Sequence, residues 1–355
     1  MCTKKWCVTL AVIYACSMIG IAGLVYIVDP FFHYHAPISG ISYSINDGLY
    51  QNDGIIKNFD YDAVIIGTST TSGFNENEAS KLFNKDFVRL TYVGEGFKRI
   101  NDGLNKAIRC NPKLEFVIRG VDPIWFVTDS SYMGHTNYPD YLSDDVLWND
   151  VDYIYNKQVI FDEVVPKIIK TIYPNSDDLL TVQNNVITFD SKKDGSAIEI
   201  YERPEKQNKI IEQSETDEFF RLLTQNMNEN VFSSIVANPS LTFYIFIPPY
   251  SICWWDSLNQ NGTDVLKRRI NMGKYVIEEL LKYDNVRLFS FSNNFGLTCN
   301  MDNYIDEIHY KAEVNSKILV WMKNGDYELT KSNYLSYISE ITEFYSTYDY
   351  DSLFN

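Results

Sequence analysis

The fold is decided by residues 63–73, which read AVIIGTSTTSG. The apolar run from Ala63 to Gly67 predicts a short, fully buried β-strand of the kind found inside parallel sheets. A polar turn that contains Ser69 follows, and Asn75 then caps a helix with acidic residues in its first turn. This succession of strand, turn and helix is typical of α/β proteins.

The same alternation continues along the chain. Further strands are predicted at 87–93, 114–118, 241–247 and 286–289, with helices at 98–110, 215–228, 263–282 and 311–323. Such alternation predicts a three-layer, doubly wound, mostly parallel α/β sheet of flavodoxin-like type. The ligand crevice of such a sheet lies at the carboxyl ends of its strands.

One long stretch interrupts this alternation. Residues 129–208 are rich in Asn, Asp, Tyr and Pro and show weak periodicity. We therefore predict a long insertion, either a partly helical subdomain or a lid, within a sheet domain that spans 59–328. Residues 329–355 are predicted to form a C-terminal helix and an acidic, Tyr-rich tail that frays.

The N-terminal region contains an uncharged apolar segment, 7–28, that is long enough to cross a bilayer as a helix. Two lysines precede it and Asp29 follows, so residues 1–6 are predicted to be cytoplasmic and the C-terminal domain extracytoplasmic. A cleaved signal peptide is the alternative, but its apolar region would be shorter. We predict a single-pass anchor in the cell membrane. The juxtamembrane segment, 29–58, then places its aromatic residues at the membrane–water interface.

Charge and cysteine content exclude several classes of partner. The formal net charge is −16, and a nucleic-acid partner is not expected because duplex binding requires a basic surface. The cysteines of the globular part, Cys110, Cys253 and Cys299, match neither a zinc pattern nor a disulfide framework. We predict no metal site and no organic cofactor.

Ser69 is well placed for nucleophilic chemistry. Its backbone N–H points the same way as the start of the following helix, which favours a developing oxyanion. A serine hydroxyl needs an adjacent base, and outside the juxtamembrane segment only His135 and His309 can supply one. Asp306 lies three positions before His309, so its carboxylate can bind the ring Nδ1 and leave Nε2 as the base. The sequence predicts a triad, with a helix-capping turn and a surface turn as the alternative reading of these two motifs.

The order of these three residues resembles that of the SGNH (GDSL-like) hydrolase superfamily, whose first block supplies the serine and whose last block is Asp-x-x-His. The likeness in layout covers Ala63 to about Lys323. The membrane-anchored form resembles the D-alanyl-lipoteichoic-acid biosynthesis protein D group and, more distantly, the alginate O-acetyltransferases. The resemblance implies an oxyanion hole in which the N–H of Ser69 is joined by that of a second-block glycine, Gly94 or Gly96.

The third block departs from the family pattern. Where the family has Gly-x-Asn-Asp, with the Asn donating to the oxyanion, this chain has residues 120–123, Gly-Val-Asp-Pro. An ionised Asp122 cannot donate a hydrogen bond and would oppose the developing charge. A role for Asp122 as a donor in the oxyanion hole is therefore doubtful. It is expected instead to pair with Arg119, to stay protonated, or to bind an acceptor hydroxyl.

Aromatic residues follow the strand predicted at 241–247. Tyr250, Trp254 and Trp255 resemble an acceptor-binding wall on which a sugar face can stack, and a structural loop anchor is the alternative. We predict these three residues, together with Arg119, as the substrate-binding side chains.

The resemblance implies a membrane-anchored, extracytoplasmic serine acyltransferase or esterase. It would move or remove an acetyl or D-alanyl ester on a cell-envelope polysaccharide or teichoic-acid-like polymer through an acyl-Ser69 intermediate. A membrane O-acyltransferase is the implied partner. Simple hydrolysis remains open, because water access to the acyl-enzyme decides it. The alternative from another class is a catalytically silent, SGNH-like glycan-binding or scaffold protein of an envelope-polymer assembly system.

Overall fold

A computed structural model describes residues 2–43, 48–134, 138–144, 146–173, 196–207 and 209–354. These residues form two compact units. Unit 1 draws on Met1–Asp60 and Asn137–Asn185, and unit 2 on Tyr61–Thr136 and Val186–Asn355. The segment 129–208 is therefore divided, and its described residues 138–173 belong to the unit of the N-terminal helix.

Unit 2 contains one six-stranded sheet. Its strands are β1 (Ala63–Gly67), β2 (Phe87–Thr91), β3 (Phe116–Gly120), β4 (Thr242–Ile247), β5 (Val286–Ser290) and β6 (Glu328–Leu329). They lie in the order β2-β1-β3-β4-β5-β6, and every neighbouring pair is parallel except β5 and β6. This confirms the predicted α/β class with a mostly parallel sheet. The antiparallel edge strand β6 was not predicted, because two residues carry no periodicity.

The helices, in chain order, are α1 (Cys2–Val28), α2 (Gly48–Asn58), α3 (Glu76–Phe83), α4 (Phe97–Cys110), α5 (Asp140–Ser143), α6 (Val151–Ile154), α7 (Val165–Ile172), α8 (Ala197–Ile200), α9 (Gln213–Met227), α10 (Ser233–Ala237), α11 (Ile252–Asn261), α12 (Thr263–Leu280), α13 (Phe295–Thr298), α14 (Ala312–Asn324) and α15 (Tyr334–Thr347). The helices predicted from periodicity are present as α4, α9, α12 and α14. Helix α11 was missed because most of its side chains are buried, so it shows no alternation of polar and apolar residues.

The sheet order explains where a site can form. Strands β1, β2 and β3 are buried at every position, as expected for strands covered on both faces. Because β1 pairs with β2 on one side and with β3 on the other, the chain changes direction across the sheet at β1. The carboxyl ends of these strands meet at a topological switch point, where open α/β sheets bind ligands.

In unit 1, the C-terminal end of α1 is part of the core. Val25 and Val28 are almost fully buried, and they pack in one cluster with Phe31, Leu142, Tyr153, Val159 and Val164. Helix α1 is also the one described helix that is long and apolar enough to cross a membrane, over Lys4–Val28.

The segment after α1 folds around a buried carboxylate. Asp29 accepts the backbone N–H groups of residues 33–35 and the hydroxyl of Tyr153. Phe31 and Phe32 are buried beside it. These two aromatic residues belong to the interior of unit 1, and their place at the membrane–water interface stays a prediction.

The C-terminal tail is ordered, contrary to expectation. Tyr345 and Tyr350 are buried, and the Tyr345 hydroxyl donates to the backbone oxygen of Ser292 at 2.6 Å. Its ring lies flat on that of Trp255, with 3.9 Å between the ring centroids. The tyrosines of the tail are packing residues of unit 2, so the tail does not fray.

Candidate active site

The structure brings Ser69, His309 and Asp306 together. The His309 Nε2 lies 2.7 Å from the Ser69 Oγ, and the His309 Nδ1 lies 2.6 Å from the Asp306 Oδ2. Ser69 and His309 are 240 positions apart in the chain. The side chain of His309 is 18% exposed, and Ser69 is half-buried. The arrangement has the connectivity that a serine nucleophile, a base and an orienting acid require.

Asp306 is held in the ionised form. Burial raises the pKa of its carboxyl, but the hydrogen bond and the charge of His309, with two backbone N–H donors, outweigh burial and lower that pKa below its usual value. Those donors are the N–H groups of Ile308 and His309, both bound to Oδ1. The free Oδ2 is thus aimed at the imidazole, which fixes the ring and leaves Nε2 toward the serine.

A closed loop carries Asp306 and His309. Tyr304 and Tyr310 form an antiparallel bridge at its base, and the Ile305 N–H donates to the His309 backbone oxygen at 2.8 Å. The Tyr304 hydroxyl donates to the Pro249 oxygen, and both the N–H and the hydroxyl of Ser251 donate to the Glu307 oxygen. The loop after β4 therefore serves as the platform on which the histidine loop rests.

Packing between α3 and α14 joins the two halves of the site. The turn at residues 68–72, called the nucleophile turn after the role predicted for Ser69, leads into α3. The loop at residues 304–310, called the histidine loop, leads into α14, and the two helices contact each other. The Ser316 hydroxyl on α14 donates to the Glu78 carboxylate on α3 at 2.6 Å. Gly73 has no side chain where Asn315 approaches, since a Cβ there would lie 2.3 Å from the Asn315 Nδ2.

Asp122 organises the nucleophile turn from below. It is fully buried, and its Oδ2 accepts the hydroxyls of Thr68 at 2.5 Å and Thr70 at 3.0 Å. Its Oδ1 accepts the Tyr250 hydroxyl at 2.8 Å. Because Thr68 and Thr70 flank Ser69, one carboxylate fixes both neighbours of Ser69.

This geometry removes Asp122 from the oxyanion hole. All three hydroxyls donate to its carboxylate, which is buried and accepts, so it offers no donor to an oxyanion. Burial raises the pKa of Asp122, and the bonds from Thr68, Tyr250 and Thr70 and the nearby charge of His309 only partly offset this. Of the roles foreseen for Asp122, the pairing with Arg119 is wrong, because the carboxylate is bound by three hydroxyls of the protein itself.

Arg119 is not a substrate-binding residue. It is fully buried, and its guanidinium donates to the Asn230 oxygen at 2.6 Å and to the Ser234 hydroxyl at 3.3 Å. Burial lowers the pKa of Arg119 to about 9. The sequence placed it correctly at the end of a strand, but alternation along a strand does not reveal which layer of helices a side chain meets.

The predicted aromatic wall is also internal. Tyr250 is 1% exposed, and its hydroxyl donates to the Asp122 carboxylate. The exposed fractions of Trp254 and Trp255 are 8% and 5%. Trp254 packs edge-on against Tyr250 and lies under the Arg269 guanidinium. The second alternative, a structural anchor, describes the packing of these residues, which also line a small pocket together with Arg269.

The two candidate glycines differ in their surroundings. Gly94 is half-buried, has a φ of +71°, and turns the chain after β2, next to the turn that follows β1. Gly96 is buried, and a Cβ there would lie 2.5 Å from the Tyr132 oxygen. Within the described part of the chain, the Ser69 N–H has no hydrogen-bond partner. Ser69 follows β1 and Gly94 follows β2, so both lie at the carboxyl ends of two adjacent parallel strands.

Three supporting residues escaped the sequence analysis. Thr68 and Thr70 resembled capping residues, yet their symmetry about Ser69 is the signal that could have revealed a shared partner. Arg89 on β2 is buried, donates to the oxygens of Ser72 and Phe74, and is paired with the buried Glu76. The nucleophile turn is therefore held on both sides.

Other candidate groups take no part in this arrangement. The second possible base, His135, lies outside the described residues. His33 is in unit 1, with its Nε2 3.0 Å from the Asp150 carboxylate. Among the residues the structure describes, no group of three His, Cys, Asp or Glu side chains is arranged to hold a metal ion.

Comparison with protein-family models, with curated proteins and with solved structures finds no match to this chain.

Proposed function

We propose that this protein is a serine acyltransferase or esterase of the SGNH type, with Ser69 as nucleophile, His309 as base and Asp306 as the orienting acid. One observation carries the proposal, the continuous chain of short contacts from Asp306 through His309 to Ser69. A serine near a histidine is common, but this serine also stands at the switch point of a parallel sheet and opens a helical turn.

The chemistry follows from the positions of the protons. The His309 Nε2 takes the Ser69 proton as the Oγ attacks the carbonyl carbon of an acyl ester or thioester. The oxyanion accepts the Ser69 N–H and one glycine N–H, from Gly94 or Gly96. When the tetrahedral intermediate collapses, His309 returns the proton to the leaving group and acyl-Ser69 remains. A polymer hydroxyl or water, deprotonated by His309, then attacks the acyl carbon, and His309 returns the proton to the Ser69 Oγ as its bond to the acyl group breaks.

The proposed setting is the outer face of the cell membrane, with α1 as a single-pass anchor and residues 1–6 in the cytoplasm. A removable signal peptide would leave the mature protein, whereas Val25 and Val28 pack in the core of unit 1, which supports an anchor that is retained. The proposed acceptor is a cell-envelope polysaccharide or teichoic-acid-like polymer. The acyl group is acetyl or D-alanyl, and the proposed donor system is a membrane O-acyltransferase.

The test uses the full chain in detergent, because α1 contributes to the core of unit 1. We expect hydrolysis of p-nitrophenyl acetate and covalent labelling by a fluorophosphonate probe, and loss of both in Ser69→Ala. Asp306→Asn should keep the fold but lower kcat by about 10⁴-fold, because the histidine tautomer is no longer fixed. Ser72→Ala, a serine in the same segment, is the matched control and should keep both signals.

The same experiment distinguishes the proposed enzyme from the alternative, a catalytically silent glycan-binding scaffold. One observation favours that alternative: the expected third-block donor is replaced by a carboxylate to which three hydroxyls donate. A folded chain that neither turns over the ester nor takes up the probe, yet binds envelope polymer, would establish the scaffold and refute the enzyme.

A further inference from the structure

An apolar surface lies on the described part of residues 146–173 in unit 1. Its large exposed side chains are Val146, Leu147, Trp148, Val151, Phe161, Ile169, Ile172 and Tyr173, and Trp148 is 81% exposed. Soluble proteins rarely expose so many large apolar side chains along one segment without a partner. We call this set the apolar surface of unit 1.

Helix α7 shows the pattern most clearly. Ile168 packs inward against the core of unit 1, while Ile169 and Ile172 on the same helix are more than half exposed. A helix that is apolar on both sides is normally covered on both sides, either by protein or by lipid. The inner side of α7 is covered by unit 1. Its outer side, with Ile169 and Ile172, is the part that is open to a separate partner.

The same segment lies alongside the end of the membrane helix. Tyr153, Val159 and Val164 share a core cluster with Val25 and Val28 of α1. The Tyr155 hydroxyl reaches further down and donates to the Met18 backbone oxygen at 3.3 Å. The contact with α1 therefore extends from Val28 back to Met18, which is about 15 Å along the helix axis at 1.5 Å per residue.

The spacing of aromatic residues on α1 places these contacts relative to a bilayer. Trp6 and Tyr26 are both exposed and, being 20 positions apart, are separated by about 30 Å, the thickness of a hydrocarbon core. Trp and Tyr favour the two membrane–water interfaces. With Tyr26 at the outer interface, the contacts at Val25 and Val28 lie at that interface, and the Tyr155 hydroxyl reaches below it to Met18.

We propose that the apolar surface of unit 1 is embedded in the membrane leaflet on the Val28 side, at the boundary between headgroups and acyl chains. This inference rests on the membrane anchor in the proposed function. The occupant is lipid because the segment that carries the surface packs against α1, the helix that the proposed function places in the bilayer. Unit 1 is then a monotopic foot beside the anchor.

The charged residues of the segment are compatible with this position. Lys157 and Lys170 are exposed, and their long stems can lie along apolar surface while the ammonium group reaches the headgroups. Asp152 and Asp162 are also exposed, which limits the foot to the interfacial region rather than the centre of the bilayer. Mixed apolar and charged faces of this kind are typical of elements that lie in the membrane plane.

The test measures the depth of single indole probes in the full chain, reconstituted in phosphatidylcholine vesicles. The background is Trp6→Phe, and quenching is compared between plain lipid and lipid brominated near the top of its acyl chains. The signal of Trp148 is the difference between this background and the same chain with Trp148→Phe. Phe161→Trp, made in the chain in which Trp6 and Trp148 are both replaced by Phe, supplies a second probe, and its signal is the difference from that chain without the added Trp. Leu335→Trp in that chain, at an exposed site of unit 2, is the matched control.

We expect the Trp148 and Phe161→Trp probes to lose most of their emission in brominated lipid and the Leu335→Trp probe to lose little. Quenching at positions 148 and 161 no stronger than in the control would overturn the proposal and leave the surface to a second copy or another protein. A chain that an alkaline carbonate wash removes from the vesicles would refute both the anchor and the foot. Ester turnover in the same samples reports separately on the proposed catalytic site.

Discussion

At the scale of single residues, Asp122 does the opposite of what its position implies. The resemblance places an oxyanion donor there, and the structure has a buried acceptor bound by Thr68, Thr70 and Tyr250. The two threonines lie on either side of Ser69, so the carboxylate stiffens the turn that presents the nucleophile. The residue thus acts on Ser69 through its neighbours.

The stability of the protein should depend on pH through Asp122. Because burial raises its pKa in the folded state, the unfolded chain releases this proton first as pH rises. The free energy of unfolding therefore falls between the unfolded pKa, about 3.9, and the folded pKa, and the loss then remains. Asp122→Asn should remove this fall, because an amide does not titrate. The variant should still fold, since the amide oxygen can accept the hydroxyls of Thr68 and Thr70. Denaturant unfolding at a series of pH values measures it.

The matched control for Asp122→Asn is Asp122→Leu. It has a similar size but no acceptor, so three buried hydroxyls lose their partner, at about 1–3 kcal/mol for each that stays unpaired. If the asparagine variant were as unstable as the leucine variant, or kept the pH dependence of the original chain, the assignment to Asp122 would be wrong.

At the scale of elements, two loops and two helices build the site. The turn after β1 is positioned by Asp122 and Arg89, and the histidine loop by Pro249 and Ser251. Helices α3 and α14 bring the two loops together, and they do so where Gly73 and Asn315 meet. A disturbance of that contact should separate Ser69 from His309.

Gly73→Ala tests this contact. Its Cβ would stand 2.3 Å from the Asn315 Nδ2, and overpacking of this kind costs about 1–3 kcal/mol. We expect a lower free energy of unfolding and a lower kcat, and recovery of both when Asn315→Ala is added. Thermal denaturation and ester turnover on the four chains of this cycle supply the measurements.

Gly273→Ala is the matched control for that cycle, because a Cβ at Gly273 in α12 meets nothing within 4 Å. The same change there should be neutral or stabilising by up to about 1 kcal/mol, through helix propensity. Equal losses in Gly73→Ala and Gly273→Ala would contradict the role given to the contact.

At the scale of the whole molecule, the C-terminal helix is part of unit 2 rather than an appendage. Tyr345 stacks on Trp255 and bonds to the oxygen of Ser292, which follows β5. The aromatic richness of the chain is thus used largely for packing. Trp255, one of the residues predicted to bind a sugar, instead packs against Tyr345 of α15.

Tyr345→Ala should therefore destabilise unit 2 strongly, by about 3–5 kcal/mol, as other large aromatic truncations do. Tyr345→Phe should cost less, about 1–3 kcal/mol, since it keeps the stacked ring and loses two hydrogen bonds, with the Ser292 oxygen and the Thr298 hydroxyl. Equilibrium unfolding compares both with Glu343→Ala, an exposed change on the same helix that should stay within about 0.5 kcal/mol. A tail that frays would make the three variants indistinguishable.

The sequence by itself determined the α/β class, the mostly parallel sheet and the apolar helix, because these depend on local periodicity that each segment carries within itself. It also selected Ser69, Asp306 and His309, since their order, the place of Ser69 directly after a strand and the three-residue spacing of Asp306 and His309 can be read along the chain. Only the tertiary structure decided their distances, the reversal of Asp122 from donor to acceptor, and the burial of Arg119, Tyr250, Trp254 and Trp255. Those properties depend on which side chains meet across the sheet and between helices, and contacts between distant positions leave no periodic trace in the sequence.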